Sequence, residues 1–472
     1  MSLNTDKINN FFSQKAYKKP ILFHAWEWTV DNILFRIGFL LNLLLTIPPI
    51  IILLILIFVS YNPIIYYIRT ILSIVSILFF FGTFLSTKEQ FKVDKLFFLF
   101  LCLAVIGFCS ALLGNDFSVS LRPALEICFY ALFSLMVLNL VDSRVKLKWI
   151  IITLVFAAFF QASIGILEYI FNAQLFPNKD VPSFSDTISV ASTTKVRVGG
   201  TWDPNFFGVI LVSAIPLAII MTYINKRILM KIVFLTGLIL LILGLVYSFT
   251  RAAMLAAVVA FLFLIYKNKA GLRVSPVKIF SLLIVLILTT GIIYYSNSLY
   301  LSTYIERIKS SSNILSYDAI NFSSPKQNFS IAFRLVHYKE AIRMIRSNPL
   351  LGVGPGNSIY DMAKHTAYPR HIGNIHNIFL LLAAENGMLS LLIYLWVIAV
   401  TWNNYIGVEK IARENKDKEM ELMIIGLQAS MLTFLIILQA QPFIFPLGLL
   451  LIYSLSEAIK HNILTKKEVT HA

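Results

Sequence analysis

Residues 95–113 read KLFFLFLCLAVIGFCSALL, an apolar run with no charged side chain after Lys95. A helix needs about 20 such residues to cross the hydrocarbon core of a bilayer. Similar runs recur along most of the 472 residues, of which 58% are hydrophobic and 14% are charged. Soluble domains carry about 25% charged residues. The composition therefore predicts an all-α polytopic membrane protein without a separate soluble domain.

The apolar runs predict about twelve membrane-spanning helices. They cover residues 37–59, 64–86, 95–113, 119–141, 149–171, 204–224, 228–247, 252–266, 279–298, 376–401, 420–439 and 441–458. Basic connections such as DSRVKLK (142–148) alternate with connections that lack Lys and Arg, such as GNDFS (114–118). Since basic loops of membrane proteins stay in the cytoplasm, the alternation places both termini there. The net charge of +16 thus reflects membrane topology and does not indicate a nucleic-acid partner.

The alternation also divides the chain into five parts. They are a cytoplasmic or interfacial N-terminal segment (1–36), transmembrane helices 1–9 (37–298), an extracytoplasmic loop (299–375), transmembrane helices 10–12 (376–458) and a cytoplasmic tail (459–472). Within the loop, apolar residues recur at Ile331, Leu335, Tyr338, Ile342 and Ile345, after a possible N-cap at Ser330. This spacing predicts an amphipathic helix over the outer mouth of the bundle. The following GVGPG (352–356) lacks the GK[ST] of a phosphate-binding loop and predicts a tight turn where backbones approach closely.

Polar and ionisable groups collect at the predicted outer ends of the helices, although burying such groups in lipid is costly. Three stretches carry them, namely VRVGGTWDPNFFG (196–208) with Arg197 and Asn205, SFTRAAM (248–254) with Arg251, and NIHNIFLLLAAENGML (374–389) with His376, Asn377 and Glu385. A single arginine could simply reach the lipid headgroups, and a single histidine could be a solvated helix cap. Their coincidence on one side, beside the long loops, favours a functional site.

These motifs resemble the O-antigen ligase and polymerase superfamily of bacterial envelope proteins. The similar elements are Arg334 followed by GVGPGNS (352–358), HNIFLLLAAENG (376–387), GGTWDPNFFG (199–208) and SFTRAAML (248–255), within roughly residues 195–400. The resemblance implies a GT-C-like glycosyltransferase. Its donor would be an oligosaccharide on undecaprenyl diphosphate, at the outer face of the cytoplasmic membrane of a bacterium. It implies no nucleotide-sugar, no metal and no other cofactor.

The resemblance also implies roles for individual residues. His376 matches the catalytic histidine, Arg197 and Arg251 match the arginines that contact the diphosphate, Arg334 matches an arginine of the loop, and Asn205 and Asn377 lie in the matching motifs and are expected to bind substrate. The chemistry agrees, because arginine grips phosphate oxygens in a fork and histidine accepts protons near neutral pH. Glu385 lies two and a half helical turns beyond His376, on the opposite face, so we expect it to hydrogen-bond a neighbouring helix.

Two kinds of glycan transfer fit these features: a polymerase that extends a cell-surface glycan, and a ligase that attaches it to a lipid or another acceptor. The many Ile, Lys and Asn residues suggest an AT-rich source that lacks lipopolysaccharide, which favours the polymerase. A transporter or flippase is the alternative from another class, and it would show internal repeats with polar groups near the bilayer midplane. The expected partners are the lipid-linked oligosaccharide, a glycan acceptor, the bilayer and other polysaccharide-assembly proteins.

Overall fold

A computed structural model describes most of the chain from residue 92 onward. The described residues are 92–172, 187–190, 193–196, 198–200, 204–267, 329–365, 373–440 and 447–464. Their helices are α1 (Lys95–Leu113), α2 (Phe117–Leu140), α3 (Arg144–Phe171), α4 (Pro204–Ile224), α5 (Ile228–Tyr247), α6 (Arg251–Lys267), α7 (Phe329–Ser347), α8 (Ser358–His365), α9 (Ile378–Glu414), α10 (Lys418–Ile437) and α11 (Leu447–Ala458), the last continued by a π-helix (Ile459–Leu464). Strands β1 (Thr187–Val190) and β2 (Thr193–Val196) form one antiparallel hairpin, which the all-α prediction did not include.

Within the described residues, seven helices are long and apolar enough to cross a membrane, namely α1 to α5, α9 and α10. The prediction of a polytopic helical membrane protein is therefore confirmed. Helices α6 and α11 coincide with the predicted spans 252–266 and 441–458, but both are shorter than 18 residues. The predicted spans 37–59, 64–86 and 279–298 lie outside the described residues, so the total of twelve stays a prediction.

Helix α9 differs from the span predicted at 376–401. It begins at Ile378, because the side chain of Asn377 caps it. It then continues to Glu414, a total of 37 residues, and so extends beyond residue 401, where the predicted span ends. Its backbone leaves helical geometry once, at Gly387, where φ is 83° and ψ is 169°. Helix α9 is therefore two helical pieces joined at a break near its first third.

The two ends of the helix bundle carry different segments. At one end, which we call the loop end, α7 packs against α9, and the N–H of Ile378 donates to the carbonyl of Leu438 at 3.0 Å. At the opposite end, Lys148 of a basic connection pairs with Glu419 at 2.6 Å, and Arg144 pairs with Asp417. The basic connection 142–148 and the segment 417–419 thus lie at the same end of the bundle.

Glu409 ties three helices together at the opposite end. Its carboxylate accepts hydrogen bonds from Lys267 of α6 at 2.6 Å, Arg413 of α9 at 2.9 Å and Gln428 of α10 at 3.0 Å. The residue is buried. A buried carboxylate is tolerated because it is paired and hydrogen-bonded. This contact explains why α9 extends beyond the apolar span, since its last turns pack against protein.

Candidate active site

Two helices with predicted site residues begin side by side at the loop end. Arg251 is the first residue of α6, and Asn205 is the second residue of α4. The hydroxyl of Thr250 donates to the carbonyl oxygen of Pro204 at 2.9 Å. Gly208 allows this close approach, because a Cβ there would lie 3.0 Å from the Cβ of Thr250. The packing brings the starts of both helices, and with them Asn205 and Arg251, to one place.

The turn before Arg251 has an uncommon backbone conformation. Phe249 is left-handed, with φ 54°, which costs about 1–3 kcal/mol for a residue other than glycine. Its N–H donates to the carbonyl of Val246 at 3.1 Å, and the N–H of Thr250 donates to the hydroxyl of Ser248 at 3.3 Å. These bonds hold the turn in place. Residues in such conformations concentrate at functional sites, which agrees with the position of Arg251.

Glu168, near the end of α3, holds the segment that follows Arg197. Its Oε2 atom accepts hydrogen bonds from the N–H of Gly199 at 2.9 Å and from that of Gly200 at 2.8 Å. Gly200 has φ 61°, a conformation that favours glycine. Arg197 itself lies outside the described residues, so its contact with a diphosphate stays a prediction.

Helix α7 lies at the loop end, and its buried face coincides with the predicted apolar stripe only in part, since Tyr338 and Ile345 pack against the buried cluster and Ile342 does not. Ala341 and Met344 are fully buried and His337 is 3% exposed, whereas Ile342 of the predicted stripe is 43% exposed. The buried positions follow the i, i+4, i+7 spacing of one helix face. The prediction was wrong at Ile342, which is exposed. Hydropathy also places a histidine in solvent, whereas His337 packs against protein.

Ion pairs fix the position of α7. Arg343 donates from Nε to Glu340 at 2.7 Å and from Nη2 to Asp361 of α8. Asp361 also accepts a hydrogen bond from the side chain of Asn115 at 3.0 Å. Both carboxylates are buried. These contacts tie α7 and α8 to the connection between α1 and α2.

The GVGPG turn shows the close backbone approach that its glycines predicted. Gly352, Gly354 and Gly356 have φ values of 69°, 103° and 74°. A Cβ on Gly352 would lie 2.4 Å from the carbonyl oxygen of Glu385. The turn therefore requires glycine both for its conformation and for its contact with α9.

The same turn supplies hydrogen bonds to α9 at its break. The N–H of Val353 donates to the carbonyl of Ala384, and the N–H of Gly354 donates to that of Glu385, both at 2.9 Å. A break leaves such carbonyls without partners inside the helix, which is costly in a membrane. The turn thus replaces hydrogen bonds that the helix cannot make.

The carboxylate of Glu385 completes this junction. Its Oε2 atom accepts from the N–H of Gly356 at 2.8 Å, and its Oε1 atom accepts from the hydroxyl of Ser358 at 2.6 Å. Glu385 is 4% exposed. We expected a hydrogen bond to a neighbouring helix, and the partner is the first residue of the short helix α8. Glu385 therefore holds the loop on the bundle.

Electrostatics link Arg251, Arg334 and His376 at the loop end. Burial lowers the pKa of Arg334, Tyr338 acts in the opposite direction, and the like charge of Arg251 lowers it again. Burial, the charge of Arg334 and the neighbouring His337 lower the pKa of His376 from 6.5 to about 4. The imidazole is therefore uncharged at neutral pH. Three of the predicted site residues, which are up to 125 positions apart in the chain (376 minus 251), lie in one electrostatic cluster.

Two residues of this cluster were missed in the sequence. The rings of His337 and His376 stack with centroids 6.1 Å apart and planes inclined by 24°. The hydroxyl of Tyr338 donates to the backbone carbonyl of His376 at 3.0 Å. The sequence contained a signal for both residues, because they follow Arg334 by three and four positions and so lie on the same side of the helix. Tyr338 was instead interpreted as part of an apolar stripe.

Asn377 lies beside His376 and fixes the start of α9. Its Oδ1 atom accepts from the N–H of Phe379 at 3.0 Å and from that of Leu380 at 3.1 Å. Its amide nitrogen donates to Gln439 at 3.1 Å. The side chain of Asn377 is thus engaged as a cap, and its contact with substrate stays a prediction.

Residues 236–395 match the family model described as O-antigen ligase. The matched segment runs from α5 into α9 and contains Arg251, Arg334 and His376. It confirms the resemblance to the O-antigen ligase and polymerase superfamily. No curated protein matches the chain.

Proposed function

We propose that this chain, as a relative of the O-antigen ligases, is a glycosyltransferase that polymerises oligosaccharides carried on undecaprenyl diphosphate. The reaction would occur at the outer face of a bacterial cytoplasmic membrane. The observation that carries the proposal is the convergence of Arg251, Arg334 and His376 at the loop end. The fold would be GT-C-like with about twelve spans.

The two arginines suit a diphosphate. The charge of Arg251 acts against that of Arg334, and Tyr338 is the one group that favours the charged form of Arg334 in the described part of the chain. An anion between them would turn this repulsion into attraction. Guanidinium groups hold phosphate oxygens in a bidentate manner, so they would stabilise the charge that develops on the leaving diphosphate. Arg197 and Asn205 would contact the same donor.

His376 suits the proton transfer. The acceptor hydroxyl attacks the anomeric carbon of the donor sugar, the bond from that carbon to the diphosphate oxygen breaks, and the bonding electrons leave with the diphosphate. The proton of the hydroxyl passes to His376. The imidazole of His376 is uncharged at neutral pH, and a general base accepts a proton in that form.

The polymerase and the ligase differ only in the acceptor. The composition rich in Ile, Lys and Asn supports the polymerase, whereas the description of the matched family supports the ligase. A polymerase uses a second lipid-linked oligosaccharide as acceptor and produces a ladder of lengths. A ligase releases the glycan onto a different lipid or acceptor in a single step.

The test is transfer by the purified protein in liposomes that contain a lipid-diphosphate oligosaccharide. We expect products longer than the donor, and the His376→Gln variant should lose about 10²- to 10⁴-fold in rate, the usual contribution of a general base. His365→Gln is the matched control, because His365 lies in the same loop region and its side chain is 53% exposed. Full transfer by His376→Gln would remove His376 from the mechanism.

A labelling experiment tests the membrane side of the loop end. Lys339 is exposed at the loop end and Lys410 at the opposite end. Each would be replaced by cysteine in a background that lacks Cys102, Cys109 and Cys128. An impermeant maleimide should label position 339 in spheroplasts and position 410 only after the membrane is opened. The reverse pattern would place the cluster in the cytoplasm and overturn the proposal.

A further inference from the structure

A second imidazole, that of His337, is held against His376 by its surroundings. The ring centroids are 6.1 Å apart, and His337 is 3% exposed. The backbone of Gly373 also packs against this ring, since a Cβ there would lie 3.1 Å from Cε1 and 3.3 Å from Nε2 of His337. Any side chain at position 373 would therefore press on the His337 ring.

The position of α7 keeps this ring contact in register. Tyr338, the next residue, donates its hydroxyl to the carbonyl of His376 at 3.0 Å and approaches that of Gln439 at 3.3 Å. One and a half turns further, Arg343 fixes the same helix to Asp361. These bonds fix the backbone of α7 beside His376, and with it the position from which the His337 side chain extends.

The charged surroundings of the pair are positive. His376 responds to Arg334 and His337 of α7, and Arg334 responds in turn to Arg251 of α6 and to Tyr338. Gln439, two residues after the end of α10, contributes an uncharged carbonyl. Within the described residues, no carboxylate contributes to the electrostatics of His376. A proton on one imidazole of such a pair disfavours a proton on the other.

We propose that His337 is a positioning residue, which holds the ring of His376 in one orientation and keeps that ring in its uncharged, proton-accepting form. This inference rests on the proposed function of His376 as the general base. His337 does not touch the reacting atoms in this account. It acts through His376, by ring packing and by charge.

Two substitutions separate packing from charge. His337→Phe keeps a flat ring but cannot carry a proton, and His337→Ala removes both. We expect His337→Phe to transfer glycan at nearly the wild-type rate at pH 8. At pH 5 we expect it to be slower than wild type by up to about twofold, because His376 then gains its proton at higher pH, while burial and Arg334 still lower its pKa. His337→Ala should be slower at every pH, through kcat with an unchanged KM for the donor.

The measurement is a set of pH–rate profiles from pH 4.5 to 8.5 for these variants, with His365→Ala as the control and His376→Gln as the reference. A wild-type profile for His337→Phe would overturn the role of charge, and full activity of His337→Ala would overturn the role of packing. If His337→Ala does not fold, His337→Leu, which fills space without a flat ring, replaces it in the test of packing, and His337→Phe still decides the role of charge. Near wild-type transfer by His376→Gln would instead refute the proposed function, so the two failures can be told apart.

Discussion

Gly387 and Leu350 are in such close contact that no side chain fits between them. A Cβ on Gly387 would lie 1.9 Å from the carbonyl oxygen of Leu350. Next to this contact, the N–H of Met388 donates to the carbonyl of Pro349 at 2.8 Å. The break of α9 and the loop are thus one interlocked backbone structure.

This contact predicts that Gly387→Ala disrupts the loop end. The φ of 83° alone makes alanine unfavourable by about 1–3 kcal/mol, and the clash with Leu350 adds to it. We expect loss of transfer and faster proteolysis between α7 and α9. Gly407→Ala is the control, because it lies in the same helix with nothing within 4 Å of its Cβ. That variant should be active and slightly more stable, since alanine favours helix over glycine by roughly 1 kcal/mol.

Glu385→Gln should loosen the loop without unfolding the bundle. The amide nitrogen would face the backbone N–H either of Gly356 or of Ser358, both of which donate to the carboxylate, so one hydrogen bond is lost at a cost of about 1–3 kcal/mol. Hydrogen exchange of residues 352–358 should accelerate while that of α10 stays slow. Glu414→Gln, in the same helix with a 64% exposed carboxylate, serves as the control. Unchanged exchange in 352–358 would contradict the anchoring role of Glu385.

Arg334→Ala should weaken donor binding. Charge-assisted hydrogen bonds contribute about 1.5–3 kcal/mol, so we expect the KM for the lipid-linked donor to rise roughly tenfold to a hundredfold. Arg334→Lys should restore only part of the donor affinity, because a point charge does not reproduce the bidentate fork of a guanidinium group. Arg346→Ala is the control, since Arg346 is exposed on the same helix. Equal donor affinity of Arg334→Ala and wild type would refute the diphosphate contact.

The pH dependence should show the low pKa of His376. A general base works in its uncharged form, which here persists down to about pH 4. The acid limb of kcat/KM should therefore fall near pH 4 and not near 6.5. A bound diphosphate would offset the charge of Arg334, so the acid limb of kcat should lie at higher pH than that of kcat/KM. Coincident limbs near pH 6.5 would indicate a solvated histidine.

The sequence predicted those features that depend on local pattern. The apolar run of α1 matches its helix residue for residue, and the glycines at 352, 354 and 356 predicted a turn with close backbone contact. Both follow from side-chain chemistry within a few neighbouring residues. The positions of Arg251, Arg334 and His376 were suggested by the resemblance, which does not give their mutual geometry.

Other features depend on contacts between distant segments, and these were missed or wrong. The break at Gly387 is stable only because Pro349, Val353 and Gly354 supply its hydrogen bonds. Hydropathy along α9 gives no sign of it. Likewise, His337 is buried because Gly373 and His376 pack against it, and the apolar pattern of α7 did not predict this.

The order of these segments in the chain has a consequence for biogenesis. The turn at 349–354 precedes the break at 384–388 by about thirty residues, and proteins are synthesised from the N-terminus. When the ribosome produces the second piece of α9, the residues of the turn have already been synthesised. The carbonyls of Ala384 and Glu385, which have no partner within α9, can therefore accept hydrogen bonds from the turn as soon as they enter the bilayer. A circular permutation that placed the turn after α9 should leave these two carbonyls without hydrogen-bond partners in the bilayer. It should therefore lower the yield of inserted protein.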